Sequence, residues 1–334
     1  MTEAERFRKR LKSIGLDDPF INAAWPDWWS EDADPSSSAR LELRFSVARK
    51  LGLDARSVLD EEGTPRFIWK DEARFKHLSG ESDMERAALS SFGRSVGALL
   101  TTVTGLGEFA LEGTPASGLR NAVLASQRYV RLADLLSLSW SAGIPVAHLR
   151  IFPSGRKRMA AMAVGVGERH AVLLAKDSMY PPHIAFYLGH ELGHIALGHI
   201  RKDAAIVDME ADVLSTNSDD DEEAEADRFA LELLTGKAGL ELVPTGSYNA
   251  PGLAQIALRV SGELQIEPGT LALCFGYATG NWAVANSAMR FIYDTPRPVW
   301  SEINRLTVAE LDPLRLPSDA SSYLAAVLGM GLTT

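Results

Sequence analysis

Across 334 residues, 46% apolar and 23% charged side chains make an ordinary globular composition and exclude a disordered chain. A net charge of −10 argues against a protein built mainly to bind nucleic acid, and no run approaches the roughly 18 consecutive apolar residues of a membrane span. The single cysteine, Cys274, cannot form an internal disulfide, and charged sequence directly after Met1 leaves no visible secretory leader, so a cytoplasmic setting is expected.

Residues 1–38 carry a basic cluster (Arg6, Arg8, Lys9, Arg10, Lys12) and three tryptophans, Trp25, Trp28 and Trp29, and close at a Pro-Ser-Ser-Ser break. The tryptophans read as anchors of a small helical subdomain on the main core rather than as a partner-binding surface. From Ala39 to about Asp60 the spacing of Leu41, Phe45, Ala48 and Leu51 predicts a helix, Gly52 stops it, and Ala55–Leu59 begins another. The phrase Val47-Ala48-Arg49-Lys50-Leu51-Gly52-Leu53-Asp54 resembles the centre of a phage-repressor helix-turn-helix. Residues 1–60 nevertheless hold ten Lys/Arg against eleven Asp/Glu, so the electrostatic footprint of direct DNA binding is missing and an ordinary helical hairpin is the preferred reading.

Residues 71–140 read as mostly helical, with runs at Met84–Leu100 and Leu119–Leu138 separated by a loop holding Gly105, Gly107, Gly113 and Gly118. The period then changes. His148–Phe152, Arg158–Val166 and Ala171–Ala175 read as strands joined by turns at Ser154-Gly155 and Gly165-Val166-Gly167, a small antiparallel sheet. A helix follows at once. Asp177 or Ser178 can cap it, Pro181-Pro182 fit only its first turn, and Arg201-Lys202 suit its negative end. Inside it Gly189 and Gly193 each cost about 1 kcal/mol relative to alanine, which implies close passage of another backbone or of a substrate.

Next come Ser215-Thr216-Asn217-Ser218 and the acid run Asp219-Asp220-Asp221-Glu222. The run lacks the spaced ligands and central glycine of a calcium loop and reads as a solvated helix N-terminus. That helix is predicted over Asp221–Leu234, burying Phe229, Leu233 and Leu234 and ending at Gly236. Further helices at Gly252–Val260 and after Pro268, with a turn at Thr295-Pro296-Arg297-Pro298, suggest a helical cap on the core. The fold class is α+β, divided as a helical region 1–75, a core 76–244 and a helical region 245–334.

The chemistry is concentrated in His190-Glu191-Leu192-Gly193-His194, an H-E-x-x-H sequence on a predicted helix. Positions four apart lie about 40° from alignment, so His190 and His194 can share one zinc ion, while Glu191, one step round, can reach a water on it. Glu223 and Asp227 share a face of the next helix. Glu223 is assigned as third ligand and Asp227 as the brace of a ligand histidine, the reverse being the weaker assignment and Glu225 the fallback ligand. A three-histidine arrangement fails because Gly198 and His199 each sit one place off its pattern, leaving His199 as a helix-end residue. With His190, His194 and Glu223 as ligands a fourth position stays open, as in catalytic zinc sites, and Glu191 becomes the general base of peptide hydrolysis. An edge strand among 158–166 or 171–175 is expected to hold an extended substrate. Tyr187 is weighed as an oxyanion donor but reads better as packing, as do His183, His148 and His170.

Several of these stretches resemble the ImmA/IrrE family of zinc metallopeptidases: Ser141-Ala142-Gly143-Ile144-Pro145-Val146-Ala147-His148-Leu149, then His190–His194 with Leu197-Gly198-His199, then Glu223-Ala224-Glu225-Ala226-Asp227-Arg228-Phe229-Ala230-Leu231-Glu232-Leu233-Leu234. Asp227 stands where the family commonly has asparagine. The likeness covers roughly 130–235, and residues 39–75 are weakly similar to the repressor-like helices often attached to such peptidases. The resemblance implies a zincin-like core of gluzincin type and cleavage of a specific transcriptional regulator, a helix-turn-helix repressor, in a stress or mobile-element response. The alternative is a non-proteolytic, metal-dependent regulator or binding module on the same scaffold; the intact Glu191 favours the enzyme.

Overall fold

A computed structural model describes residues 1–68, 73–75, 83–151, 153, 159–200, 202, 204–209, 221–239 and 248–331. The fold is α+β and mostly helical. Four helices open it: α1 (Glu3–Ser13), α2 (Asp18–Ala24), α3 (Ser37–Leu51) and α4 (Ala55–Leu59). After strand β1 (Ala73–Phe75) come α5 (Asp83–Val103), α6 (Ala116–Leu124) and α7 (Leu132–Ser141), then β2 (Val146–His148), β3 (Met159–Val166) and β4 (Arg169–Leu174). Helix α8 (Pro181–Ala196), strand β5 (Ala205–Met209) and helix α9 (Asp221–Thr235) follow, and the described residues then form α10 (Ala250–Leu264), α11 (Pro268–Thr279), α12 (Trp282–Ile292), α13 (Val299–Glu310) and α14 (Ser318–Leu328). No helix among the described residues is long and apolar enough to cross a membrane.

The sheet is mixed, in the order β1-β5-β3-β4-β2, which corrects the antiparallel sheet expected above. β3 runs antiparallel to β4 and β5, but β2 pairs with β4, and β1 with β5, in parallel. Gly167, at φ +59°, turns the tight β3–β4 hairpin with Glu168 between the paired Val166 and Arg169. Both sheet faces are covered by helices, so β3 reads as a continuous apolar run and not an alternating one. On one face Met162, Val164, Leu173 and Val207 join a core with α5 and with side chains of α1–α3 and α14. On the other, Ala161, Ala163, Val172, Leu174 and Ile206 meet α7, α8 and α9.

β3 and β4 are each paired on both sides, so neither is the edge strand a substrate could extend. The β2 edge is occupied too. The Asn304 side chain of α13 accepts from His148 N–H at 2.7 Å and donates to His148 C=O at 2.7 Å, while the Thr307 hydroxyl donates to Val146 C=O. A side-chain amide here does the work of a neighbouring strand.

Other boundaries moved for local reasons. The predicted helix Leu119–Leu138 is two, because Arg131 and Asp134 cap a fresh start at Leu132. The strand expected over 148–152 lies earlier, at Val146–His148, since Arg150 N–H leaves the sheet to bond Val327 C=O of α14. Helix α3 forms and stops at Gly52, φ +65°, and half of its predicted face is buried: Ala48 and Leu51 join the core with Leu43, Val47 and Lys50, whereas Leu41 and Phe45 are exposed. Helix α4 has five residues and buries Ser57 and Val58. Trp25 and Trp29 pack on the core as anchors, whereas Trp28 is exposed. Phe152, the turn at 154–155, Arg158, Arg201 and the 215–220 segment with Asp219 and Asp220 lie outside the described residues.

Candidate metal centre

Helix α8 opens on Pro181-Pro182 as expected, with Tyr180 as its N-cap residue; neither Asp177 nor Ser178 caps it. It ends earlier than Arg201-Lys202. Ala196 is its last residue and Gly198, at φ +73°, reverses the chain. Helix α9 starts at Asp221, buries Phe229, Leu233 and Leu234 and ends at Gly236, φ +80°. Its C-terminal carbonyls are held by the buried Arg120 of α6, whose guanidinium donates to Leu233 and Leu234 C=O.

The glycines of α8 explain how close α9 lies. A Cβ on Gly193 would sit 3.1 Å from Phe229 Cβ and 3.2 Å from Ala226 Cα, and one on Gly189 would touch Ala230 at 3.5 Å. Close approach of α9 is what the two helix-weakening residues permit, and it carries the acidic face of α9 onto the histidines.

His190, His194 and Glu223 converge and are buried, at 4%, 0% and 5% exposure. The two Nε2 atoms are 2.9 Å apart, and each lies 3.4 Å from Glu223 Oε2. His190 Nδ1 is 2.7 Å from Asp227 Oδ1. A carboxylate only accepts, so Nδ1 carries the proton and His190 Nε2 presents a lone pair to the cluster. Two imidazole nitrogens and a carboxylate oxygen so grouped in a buried space could hold a metal ion. A tetrahedral ion with bonds of about 2.0–2.1 Å separates its ligand atoms by about 3.3 Å, close to the two 3.4 Å separations. The group is chemically and sterically fit to bind a metal ion. Glu191, in the same helical turn, is fully buried.

Among the other sequence candidates, Glu225 lies off the cluster. Its Oε2 is 3.2 Å from His199 Nε2, and the His199 Nδ1 is 3.0 Å from His194 Nδ1. His199 lies at the end of α8, as the sequence reading had it, and outside the group of possible ligands; Gly198 turns the chain just before it. Tyr187 is buried in the apolar core beside α8. His183 faces Asn286 of α12 at 3.0 Å, and His148 lies between the carbonyls of Leu149 and Lys176. Burial lowers the pKa of His148, His170 and His183 alike. Tyr277 of α11 was not anticipated; burial first, and then the charge of Asp227, push its phenol upward.

Compared with family models, with curated proteins and with solved structures, the chain matches none. The functional reading therefore stands on the geometry of α8 and α9.

Proposed function

We propose that the chain is a zinc-dependent endopeptidase of the ImmA/IrrE kind, with a zincin-like core, that cleaves a specific transcriptional regulator of the helix-turn-helix repressor class. The observation that carries this reading is the convergence of His190, His194 and Glu223 beside a fully buried Glu191. Two imidazoles and one carboxylate form the donor set of a catalytic zinc, which leaves a position open. When bound, zinc supplies Lewis acidity, acidifying water and polarising a carbonyl.

The chain's own residues do the rest. Asp227 fixes the ring of His190 through its Nδ1–H. Glu191 takes a proton from the attacking water at its carboxylate and returns it to the departing amine nitrogen. Burial of the whole group excludes bulk water and strengthens each charge–dipole interaction. The substrate backbone is not received by β3, β4 or β2, whose hydrogen-bonding edges are occupied.

The test is co-expression with candidate repressors, comparing wild type with Glu191→Gln. Loss of a general base of this kind lowers rates about 100- to 10,000-fold, so cleavage is expected to vanish in the variant while zinc is retained. Equal cleavage by both proteins contradicts the reading.

A further inference from the structure

His194 can ligate through Nε2 only if its ring proton sits on Nδ1, and a buried Nδ1–H needs an acceptor. His190 meets the same need directly, with Asp227. His194 has Glu223 Oε2 3.4 Å from its Nε2, and at its Nδ1 the chain end of α8 brings another imidazole. His199 N–H bonds to His194 C=O at 2.9 Å and Gly198 N–H bonds to Ile195 C=O at 3.1 Å, the paired bonds of a Schellman turn. In such a turn the residue after the left-handed glycine falls back on the one five positions earlier, commonly as an apolar contact. Here the pair is His199 on His194, with Nδ1 to Nδ1 at 3.0 Å and ring centroids 5.2 Å apart.

Glu225 sets the direction of this contact. Its carboxylate accepts from His199 Nε2–H at 3.2 Å, and in the Nε2–H tautomer the His199 Nδ1 is an acceptor. A bare Nδ1 accepts from His194 Nδ1–H, and His194 Nε2 is thereby left as a lone pair aimed at His190 Nε2 and Glu223. The reverse order would place a bare His199 Nε2 against a carboxylate, two acceptors in contact. The His199 side chain is 7% exposed and Glu225 48%, so the bond to His194 is the better shielded of the two.

We propose that His199 and Glu225 are positioning residues that fix the tautomer and ring orientation of the metal ligand His194, the counterpart of what Asp227 does for His190. The inference rests on the metal-centre reading above. The sequence encodes the two braces differently, one as an i+4 partner of Glu223 on α9, the other as a glycine-dependent helix end answered from α9.

The test uses the full chain stripped of metal, titrated with Zn2+ against a chromophoric chelator and separately with Co2+. His199→Ala is expected to weaken zinc binding about 10- to 100-fold and to alter the visible Co2+ spectrum, with the apo melting temperature held as the folding control. His199→Asn, whose amide oxygen can accept from His194 Nδ1–H, is expected to recover most of the affinity and a near-native spectrum. Glu225→Ala, at a half-exposed position, is expected to lose several-fold. Wild-type affinity and spectrum in folded His199→Ala overturn the inference. If that variant does not fold, unchanged zinc affinity in Glu225→Ala overturns it. A wild type that takes up no metal removes the metal-centre reading itself, and the inference with it.

Discussion

On the α5 side of the sheet the core is filled by large side chains: Phe20, Phe92, Leu100 and Tyr323 are fully buried, and the Phe20 and Phe92 rings meet edge to face at 4.8 Å. On the α8 side the sheet offers Ala161 and Ala163, and α8 offers Gly189 and Gly193 to Ala226, Phe229 and Ala230 of α9. One face binds distant parts of the chain, from α2 to α14, by bulk. The other uses small residues to draw two helices together, and what that closeness buries is polar: His190, His194, Glu191 and Glu223. The residues that could hold a metal thus lie on one face of the sheet, apart from the core shared with α1–α3 and α14.

That division can be broken from either side. Phe92→Ala removes a fully buried ring and is expected to cost about 3–5 kcal/mol in urea unfolding, while the folded fraction keeps native zinc affinity. A fall in affinity matching the fall in stability would mean that the faces are not separate. Gly193→Ala works the other way. Its Cβ would press on Phe229 and Ala226, so overpacking costs about 1–3 kcal/mol, offset by up to about 1 kcal/mol of helix propensity. Displacement of α9 then weakens zinc binding out of proportion to the small loss of stability. Unchanged binding would show that the close approach serves packing only.

The smallest expected effect is acidic and lies at the sheet edge. Burial depresses the pKa of His148, so the unfolded chain binds a proton there more readily than the folded one. The stability this neutral ring contributes is complete above the ordinary histidine pKa of about 6.5 and is lost as pH falls toward the lower folded value. In metal-free protein the urea midpoint should drop between neutral pH and pH of about 5.5, and His148→Gln should reduce the drop without abolishing it, because His170 and His183 are shifted the same way. A midpoint flat with pH would show that these rings are solvated.

The α8–α9 pair was largely legible because its information is local. Ligand spacing, the cost of two glycines and a shared face for Glu223 and Asp227 all follow from helical geometry. The face of α3 was only half legible, right for Ala48 and Leu51 and wrong for Leu41 and Phe45. Leu41 and Phe45 point outward because Arg44 and Lys50 point inward, and their partners are remote: Glu3 and Glu61 for Arg44, Asp319 for Lys50. No window of sequence contains that contact. β5 was missed for a related reason, since a short strand such as Ala205–Met209 acquires its identity from pairing with β3 and β1. The end of α8 was placed too late because cations at 201–202 were given more weight as a stop signal than a glycine at 198.

The most direct measurement is the metal content of the purified chain beside Glu223→Ala and His194→Ala. One zinc per wild-type chain, lost in both variants while their folds persist by circular dichroism, is the expected result. No bound metal in wild type, or full occupancy in Glu223→Ala, would contradict a centre built from His190, His194 and Glu223.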